Sequence, residues 1–352
     1  MTTTAPKPFR VGFIGAGGIA MTHMKYLKAL PGVELVAAAD VSDKNFTKVK
    51  ADFGIERCYA DFRELLAKED TLDAVSVCTP NGLHAANTIA ALEAGRHVIV
   101  EKPMATNAAE CKAMNAAAAK AGKVLVCGFQ WRFDPRTQAL RKQAEAGVFG
   151  EVKYARVQAL RRRGIPNWGV FGRKDLQGGG PMIDIGVHVT EMAHYAMGMP
   201  KPVAASGMCS TYLGDQPMTA LCQWPNWDHK TYTVEDLAIG FVRFANGAVM
   251  VIESSFAAHI EKDVWNFQIM GTKAGATFDP PVVFTDHDGY QWNQTPAYVG
   301  KDDIFAVKMK HFVDVCRGER ANDSSGEHGL MVQQILDGIY KSAETGREVA
   351  IT

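Results

Sequence analysis

Two short segments carry side chains suited to taking a proton from a hydroxyl. Glu101-Lys102-Pro103 follows an apolar run, His97–Val100. The proline biases Lys102 toward an extended conformation, which fixes its ammonium instead of leaving it on a mobile helix face. Asp184-Ile185-Gly186-Val187-His188, preceded by Gly178-Gly179-Gly180-Pro181, spaces a carboxylate and an imidazole i, i+4 on one helix face. Ile183, Ile185, Val187 and Val189 make the surroundings apolar, so both polar groups need partners. Beside a nicotinamide, a lysine and an Asp–His pair are what alcohol oxidation requires. A base takes the hydroxyl proton as hydride leaves the carbon, and an ammonium steadies the developing alkoxide. A metal is the competing use, with His188, Glu191 and His194 as possible ligands. His188 and Glu191 share a face while His194 falls elsewhere, and no H-E-x-x-H pattern exists. No metal is expected.

A nicotinamide needs a dinucleotide site, and the chain opens on one. Phe9–Ile14 reads as an apolar strand running into Gly15-Ala16-Gly17-Gly18-Ile19-Ala20, the G-x-G-x-x-A pattern, and then into a helix that begins near Ile19. Gly15 allows the tight turn and Gly17 the close approach of a pyrophosphate. Ala20 keeps the helix packed on the strand, so that helix-terminal N–H groups face the anion. Val33–Ala39 supplies a second strand ending in Asp40, where a ribose hydroxyl needs an acceptor. NAD is the expected cofactor, because no arginine follows Asp40 to hold a 2′-phosphate. Cys78-Thr79-Pro80-Asn81 closes the strand Asp73–Val77 at the same edge, and His84 opens the next helix as a cap or a cofactor contact.

From Phe9 to about Phe129, short apolar strands alternate with helical patterns at Asp61–Ala67, His84–Ala94 and Asn107–Ala121. This is the signature of a parallel sheet covered on both faces. After Gly128 the rhythm changes. A helix (Pro135–Ala146), a strand (Val152–Leu160) and a helical stretch from about Pro181 to Met197 precede four long β-rich runs. These are Val203–Leu213, Val234–Phe244, Ala248–Ala258 and Trp265–Met270, with Asn246-Gly247 as a hairpin turn. Two helical patterns, Ile304–Arg317 and Glu327–Glu344, follow. The expected fold is a doubly wound parallel α/β domain over residues 1–128 and an α+β domain with a large, mostly antiparallel sheet over 129–352.

Bulk properties exclude other partners. Of 352 residues, Lys+Arg number 38 and Asp+Glu 38, so no basic field points to nucleic acid or an anionic membrane. Seven scattered cysteines without C-x-x-C suit a reducing cytoplasm. The polar run Met1 to Pro8 lacks an apolar signal-peptide core, and no apolar stretch reaches bilayer length.

Gly15–Ala20, Glu101-Lys102-Pro103, Gly128-Phe129-Gln130-Trp131-Arg132-Phe133-Asp134-Pro135 and Gly179–His188 occur in the order seen in the glucose–fructose oxidoreductase/inositol dehydrogenase/MocA family, which this chain resembles along nearly its whole length. The resemblance implies a Rossmann domain joined to a domain whose open sheet commonly mediates oligomers, here a homodimer or homotetramer. It also implies a nicotinamide cofactor and a sugar, glycoside or polyol substrate. By position, Lys102, Asp184 and His188 look like the catalytic set, with His188 as general base. The cofactor set is then Gly15, Gly17, Gly18, Ile19, Asp40, Thr79, Asn81, His84, Glu101, Lys102 and Gln130. For the substrate, Arg132, Asp184 and His188 join Arg161, Arg163 and Trp168 of the loop Arg161–Gly169, where a Trp beside cations can stack on a sugar. Trp224-Pro225-Asn226-Trp227 reads equally as a lid or an inter-subunit contact. Two other functions fit the same residues: a glycosidase that oxidises, eliminates and re-reduces with bound NAD, and a cofactor-sensing regulator without catalysis, against which the intact Lys102, Asp184 and His188 speak.

Overall fold

The computed structural model describes residues 7–352, which form two compact units. Of the polar run 1–8, residues 1–6 lie outside the described residues. The first unit runs to Gln130 and also contains Asp303–Leu330. Its strands β1 (Phe9–Ile14), β2 (Val33–Ala39), β3 (Arg57–Tyr59), β4 (Ala74–Val77), β5 (His97–Val100) and β6 (Leu125–Cys127) are joined by helices α1 (Gly18–Lys28), α2 (Asp43–Phe53), α3 (Phe62–Lys68), α4 (His84–Glu93) and α5 (Ala108–Ala121). The strands form one parallel sheet in the order β3-β2-β1-β4-β5-β6. Strand order reverses between β1 and β4, so the Gly15 turn and the Thr79 turn leave neighbouring strands at their carboxyl ends, where such sheets bind ligands. Helix boundaries follow their caps. Asp61 accepts from Arg63 N and Asn107 from Glu110 N, while Gly122, at φ 62°, closes α5.

The second unit comprises Trp131–Asp302 and Met331–Thr352. It holds α6 (Pro135–Glu145), β7 (Val152–Leu160), α7 (Lys174–Gln177), α8 (Val187–Ala196), β8 (Pro202–Ser210), β9 (Leu237–Phe244), β10 (Val249–Ser255), β11 (Val264–Gly271), β12 (Ala274–Thr277), β13 (Val282–His287), β14 (Tyr290–Gln294) and β15 (Val349–Ala350). These strands make one sheet in the order β14-β13-β12-β11-β7-β10-β9-β8-β15, antiparallel except where β10 pairs with β7. Along β9, Ala238, Gly240, Val242 and Phe244 are buried while Ile239 and Arg243 are exposed, the period of two of a sheet covered on one face. Asn246-Gly247 forms the expected hairpin, with Gly247 at φ 83°. The β12–β14 meander was not expected: its strands are short, and every residue of β14 is exposed, so no buried alternation announces it.

One segment departs from the expected division at residue 128. The helix Ile304–Cys316 packs into the core of the first unit. Met309, Phe312 and Val313 are buried there with Phe9, Val11, Phe13 and Met24, so apolar burial carries this stretch back to the first sheet. Among the described residues, no helix is long and apolar enough to cross a membrane.

Candidate active site

The first unit builds a dinucleotide cradle. Gly15 sits at φ +87°, and a Cβ there would lie 2.7 Å from Cys78 O, so the turn closes only with glycine. Gly17 caps α1 with no side-chain hydrogen bond, and the first turn carries no acid. A Cβ at Gly17 or Gly18 would meet nothing within 4 Å. An uncapped helix start with open space above it is the arrangement that accepts a pyrophosphate. Asp40 Oδ2 accepts from Ala16 N at 2.7 Å and Oδ1 from Ser42 N at 2.8 Å. The carboxylate is thereby locked beside the glycine turn with lone pairs left for ribose hydroxyls. Gln130 is buried, and its Oε1 accepts no hydrogen bond from the protein. These residues fit a dinucleotide.

Thr79 and His84 form a brace. Asn87 Nδ2 donates to Thr79 Oγ1 at 3.0 Å, and the buried His84 ring lies 2.9 Å from Thr79 O and 2.8 Å from Pro103 O. Burial lowers the His84 pKa, so the ring is neutral and donates to one carbonyl or the other. His84 thus sits wedged between the Asn81 turn and the Lys102-Pro103 turn, with both ring nitrogens facing backbone carbonyls instead of a cofactor. Glu101 is likewise turned inward. Its Oε1 lies 2.5 Å from Lys308 Nζ and 3.0 Å from His23 Nε2, and its Oε2 accepts from Lys102 N at 3.2 Å. His23 Nδ1 continues to Ser76 Oγ at 2.8 Å. Burial pushes the Glu101 carboxyl up, but the Lys308 charge and the His23 hydrogen bond outweigh it and hold it well below the usual range. Burial, helped by Lys308, lowers His23 to about 4. Glu101 therefore anchors the Lys102 backbone from below. His23 and Lys308 escaped sequence reasoning, although Lys308 lies on the apolar stripe Ile304, Phe305, Phe312, Val315, an unusual place for a lysine.

The second unit positions Asp184 and His188. Asp184 lies in a π-helical turn, Met182–Gly186, and His188 in the first turn of α8; both are buried. Such wide turns recur at functional sites. The turn is pinned from outside. Glu235 accepts from Gly180 N at 2.9 Å, Met182 N at 3.3 Å and Tyr340 OH at 2.7 Å, while Ser254 Oγ donates to Pro181 O at 2.8 Å. Gly180 must lack a side chain, because its Cβ would collide with Glu235 O. The His188 ring lies 6.1 Å from that of Trp265, which stands 5.4 Å from Trp131.

Of the residues expected at a substrate, some gather with Asp184 and some do not. Arg132 is 1% exposed; its Nε bonds Glu191 Oε1 at 2.7 Å, and its guanidinium covers the Tyr195 ring at 4.4 Å. It is an interior ion pair, because a buried guanidinium needs a carboxylate. Glu191 is thereby committed, and His194 Nε2 faces Pro200 O at 2.8 Å, so these two side chains have partners apart from His188. Arg163 is also spent, on Arg162 O, Ala258 O and the His259 ring. Arg161 is different. Burial lowers its pKa, but the charges of Asp184 and Asp263 oppose this, which places Asp184 within its field. Trp168 is 48% exposed and so is no core residue. Trp227 is buried with Nε1 on Gly214 O at 2.8 Å, a structural role.

Residues 9–129 match the family model described as an oxidoreductase family with an NAD-binding Rossmann fold, and residues 137–277 match the GFO/IDH/MocA C-terminal domain. The D-glucoside 3-dehydrogenase of Escherichia coli K12 is 37% identical over 346 residues, 98% of both chains. The myo-inositol 2-dehydrogenase of Thermotoga maritima is 29% identical, covering 97% of this chain and 98% of its own. A solved levoglucosan dehydrogenase in complex with NADH superposes with a TM-score of 0.83 at 25% identity, over 98% of this chain and 100% of that one. Fold and cradle define a nicotinamide-dependent oxidoreductase. The chain belongs to the GFO/IDH/MocA oxidoreductase family, and its cofactor is NAD.

Proposed function

We propose that this enzyme oxidises a secondary hydroxyl of a neutral sugar or glycoside to a ketone. The observation that carries this reading is the identity of 37%, over 98% of both chains, with a D-glucoside 3-dehydrogenase. Bound NAD supplies the hydride acceptor. His188 takes the hydroxyl proton, so one proton and one hydride leave the alcohol together. Asp184 orients that exchange, and the Lys102 ammonium stabilises charge on the oxygen as the proton leaves. Glu101 and Glu235 hold the backbones that carry these groups. The test is purified protein with NAD and a panel of glycosides and polyols, following absorbance of reduced nicotinamide and aglycone release together. Reduced nicotinamide in proportion to keto-sugar is the expected result. Aglycone release without net reduction, or no reaction with any of the panel, refutes it.

We also propose a homodimer or homotetramer formed through the outward face of the second sheet, where Ile239, Met270 and Phe284 are exposed. The cytoplasm is the proposed compartment, since all seven cysteines are free thiols.

A further inference from the structure

We propose that Trp168, Trp224 and Arg161 form a shelf for a second ring of the substrate, an aglycone or further pyranose joined to the sugar that is oxidised. Two loops separated in sequence build it. The Trp168 and Trp224 rings stand edge to face, 4.8 Å apart at 86°, and Phe171 approaches Trp168 at 5.9 Å and 71°. Asn167 Nδ2 donates to Pro225 O at 2.8 Å, and the Arg161 guanidinium covers the Trp224 ring at 4.9 Å while donating to Gly164 O. The loops are held from behind. Asp236 Oδ2 accepts from Tyr212 N, Leu213 N and Gly214 N, and Trp227 clamps Gly214. An indole pair of which Trp168 is half in solvent and Trp224 only partly buried forgoes burial that the fold could have used. Polar bonds frame it on both sides, as around a ligand surface.

The shelf is tied to the reacting residues through β10. Ser254 Oγ bonds Pro181 O, three residues before Asp184, and the adjacent Ser255 Oγ bonds Arg161 O at 3.1 Å. Neighbouring residues of one strand thus position both the catalytic turn and the shelf. The ring it takes is neutral. The Arg161 guanidinium donates to Gly164 O and its charge is offset by the field of Asp184 and Asp263, leaving the indole edges and faces as the recognition chemistry. Indoles favour the C–H face of a pyranose or the face of an arene.

This rests on the proposed glycoside oxidation, so the test reads specificity. Methyl glucoside, phenyl glucoside and cellobiose are compared by kcat/KM in wild type, Trp224→Ala and Trp224→Phe. The ratio of phenyl glucoside or cellobiose to methyl glucoside should fall about 3–10-fold in Trp224→Ala, the worth of one aromatic contact, and recover in Trp224→Phe. Loss for phenyl glucoside alone assigns an aryl aglycone, and loss for cellobiose alone assigns a second sugar. An unchanged ratio, or equal loss on all three, overturns the shelf. If wild type oxidises none of them, the proposed reaction fails. The shelf is then judged by quenching of tryptophan fluorescence with phenyl glucoside, where absence of quenching in wild type, or equal quenching in Trp224→Ala, overturns it.

Discussion

Replacing Lys308 by methionine keeps the buried stem and removes its charge. In the wild type that charge lies 2.5 Å from Glu101 Oε1 and 2.9 Å from His23 Nε2, with Lys308 fully buried. Removing one partner of such a pair leaves a carboxylate uncompensated, and the loss is about 3–5 kcal/mol. A unit of this size loses roughly 2–4 °C of melting temperature per kcal/mol, so the transition should fall by about 6–20 °C at pH 7. The pH dependence has a definite sign. Glu101 has a depressed native pKa, so its stabilising contribution is present above the unfolded value near 4.5 and is lost as pH falls through the native one. His23 is neutral in the native state down to about 4 but protonates near 6.5 when unfolded. Folding therefore loses about 3 kcal/mol between pH 6.5 and 4 as the unfolded chain takes up that proton. In Lys308→Met the Glu101 carboxyl rises and His23 no longer meets a cation, so the stability gap between variant and wild type narrows in acid. Denaturant unfolding of both proteins at pH 7 and pH 4.5 measures this. Adding Glu101→Gln should restore part of the loss. A Lys308→Met variant within about 1 kcal/mol of wild type at pH 7 would show that the pair does not bear on stability as argued.

Asp40→Ala should weaken NAD binding about 10-fold through lost ribose acceptance and narrow the preference over NADP, both read by titration of cofactor-free protein. Comparable wild-type affinity for the two cofactors refutes the assignment. Lys102→Ala and His188→Ala should each lower kcat by on the order of 10²–10⁴ while NADH still binds, as followed by nicotinamide fluorescence. A near-wild-type rate in either variant, with the preferred substrate, removes that residue from the chemistry.

The parts legible in the sequence were those whose signal is local. The Gly15 turn, the strand ending in Asp40 and the Asn246-Gly247 hairpin need only adjacent residues to dictate their backbone, and all three stand where expected. Helix ends marked by Asp61, Asn107 and Gly122 fall within a residue of their readings. Partners distant in sequence could not be read. Arg132 is of a type that binds sugars, yet a buried carboxylate 59 residues on claims it. Glu101 stands beside Lys102 in sequence but faces Lys308, 207 residues away. Glu235 stands at the start of the β-rich run Val234–Phe244, where nothing announces that it accepts from the backbone of Gly180 and Met182. Side-chain direction at a strand end depends on what the rest of the chain packs beneath it.

The return of Asp303–Leu330 to the first unit bears on how the protein is made. A ribosome releases the glycine turn and all six parallel strands before it has polymerised the helix that carries Lys308, Met309, Phe312 and Val313. During that interval Glu101 and His23 lack their cation, and the face of β1 around Phe9 and Val11 lacks its cover. The nascent dinucleotide domain therefore waits on a segment synthesised after the entire nine-stranded sheet except its last short strand. A fragment ending at residue 130 should stay loosely packed until a peptide spanning 303–330 is supplied in trans, so translation order makes completion of the cofactor domain a late event in biogenesis.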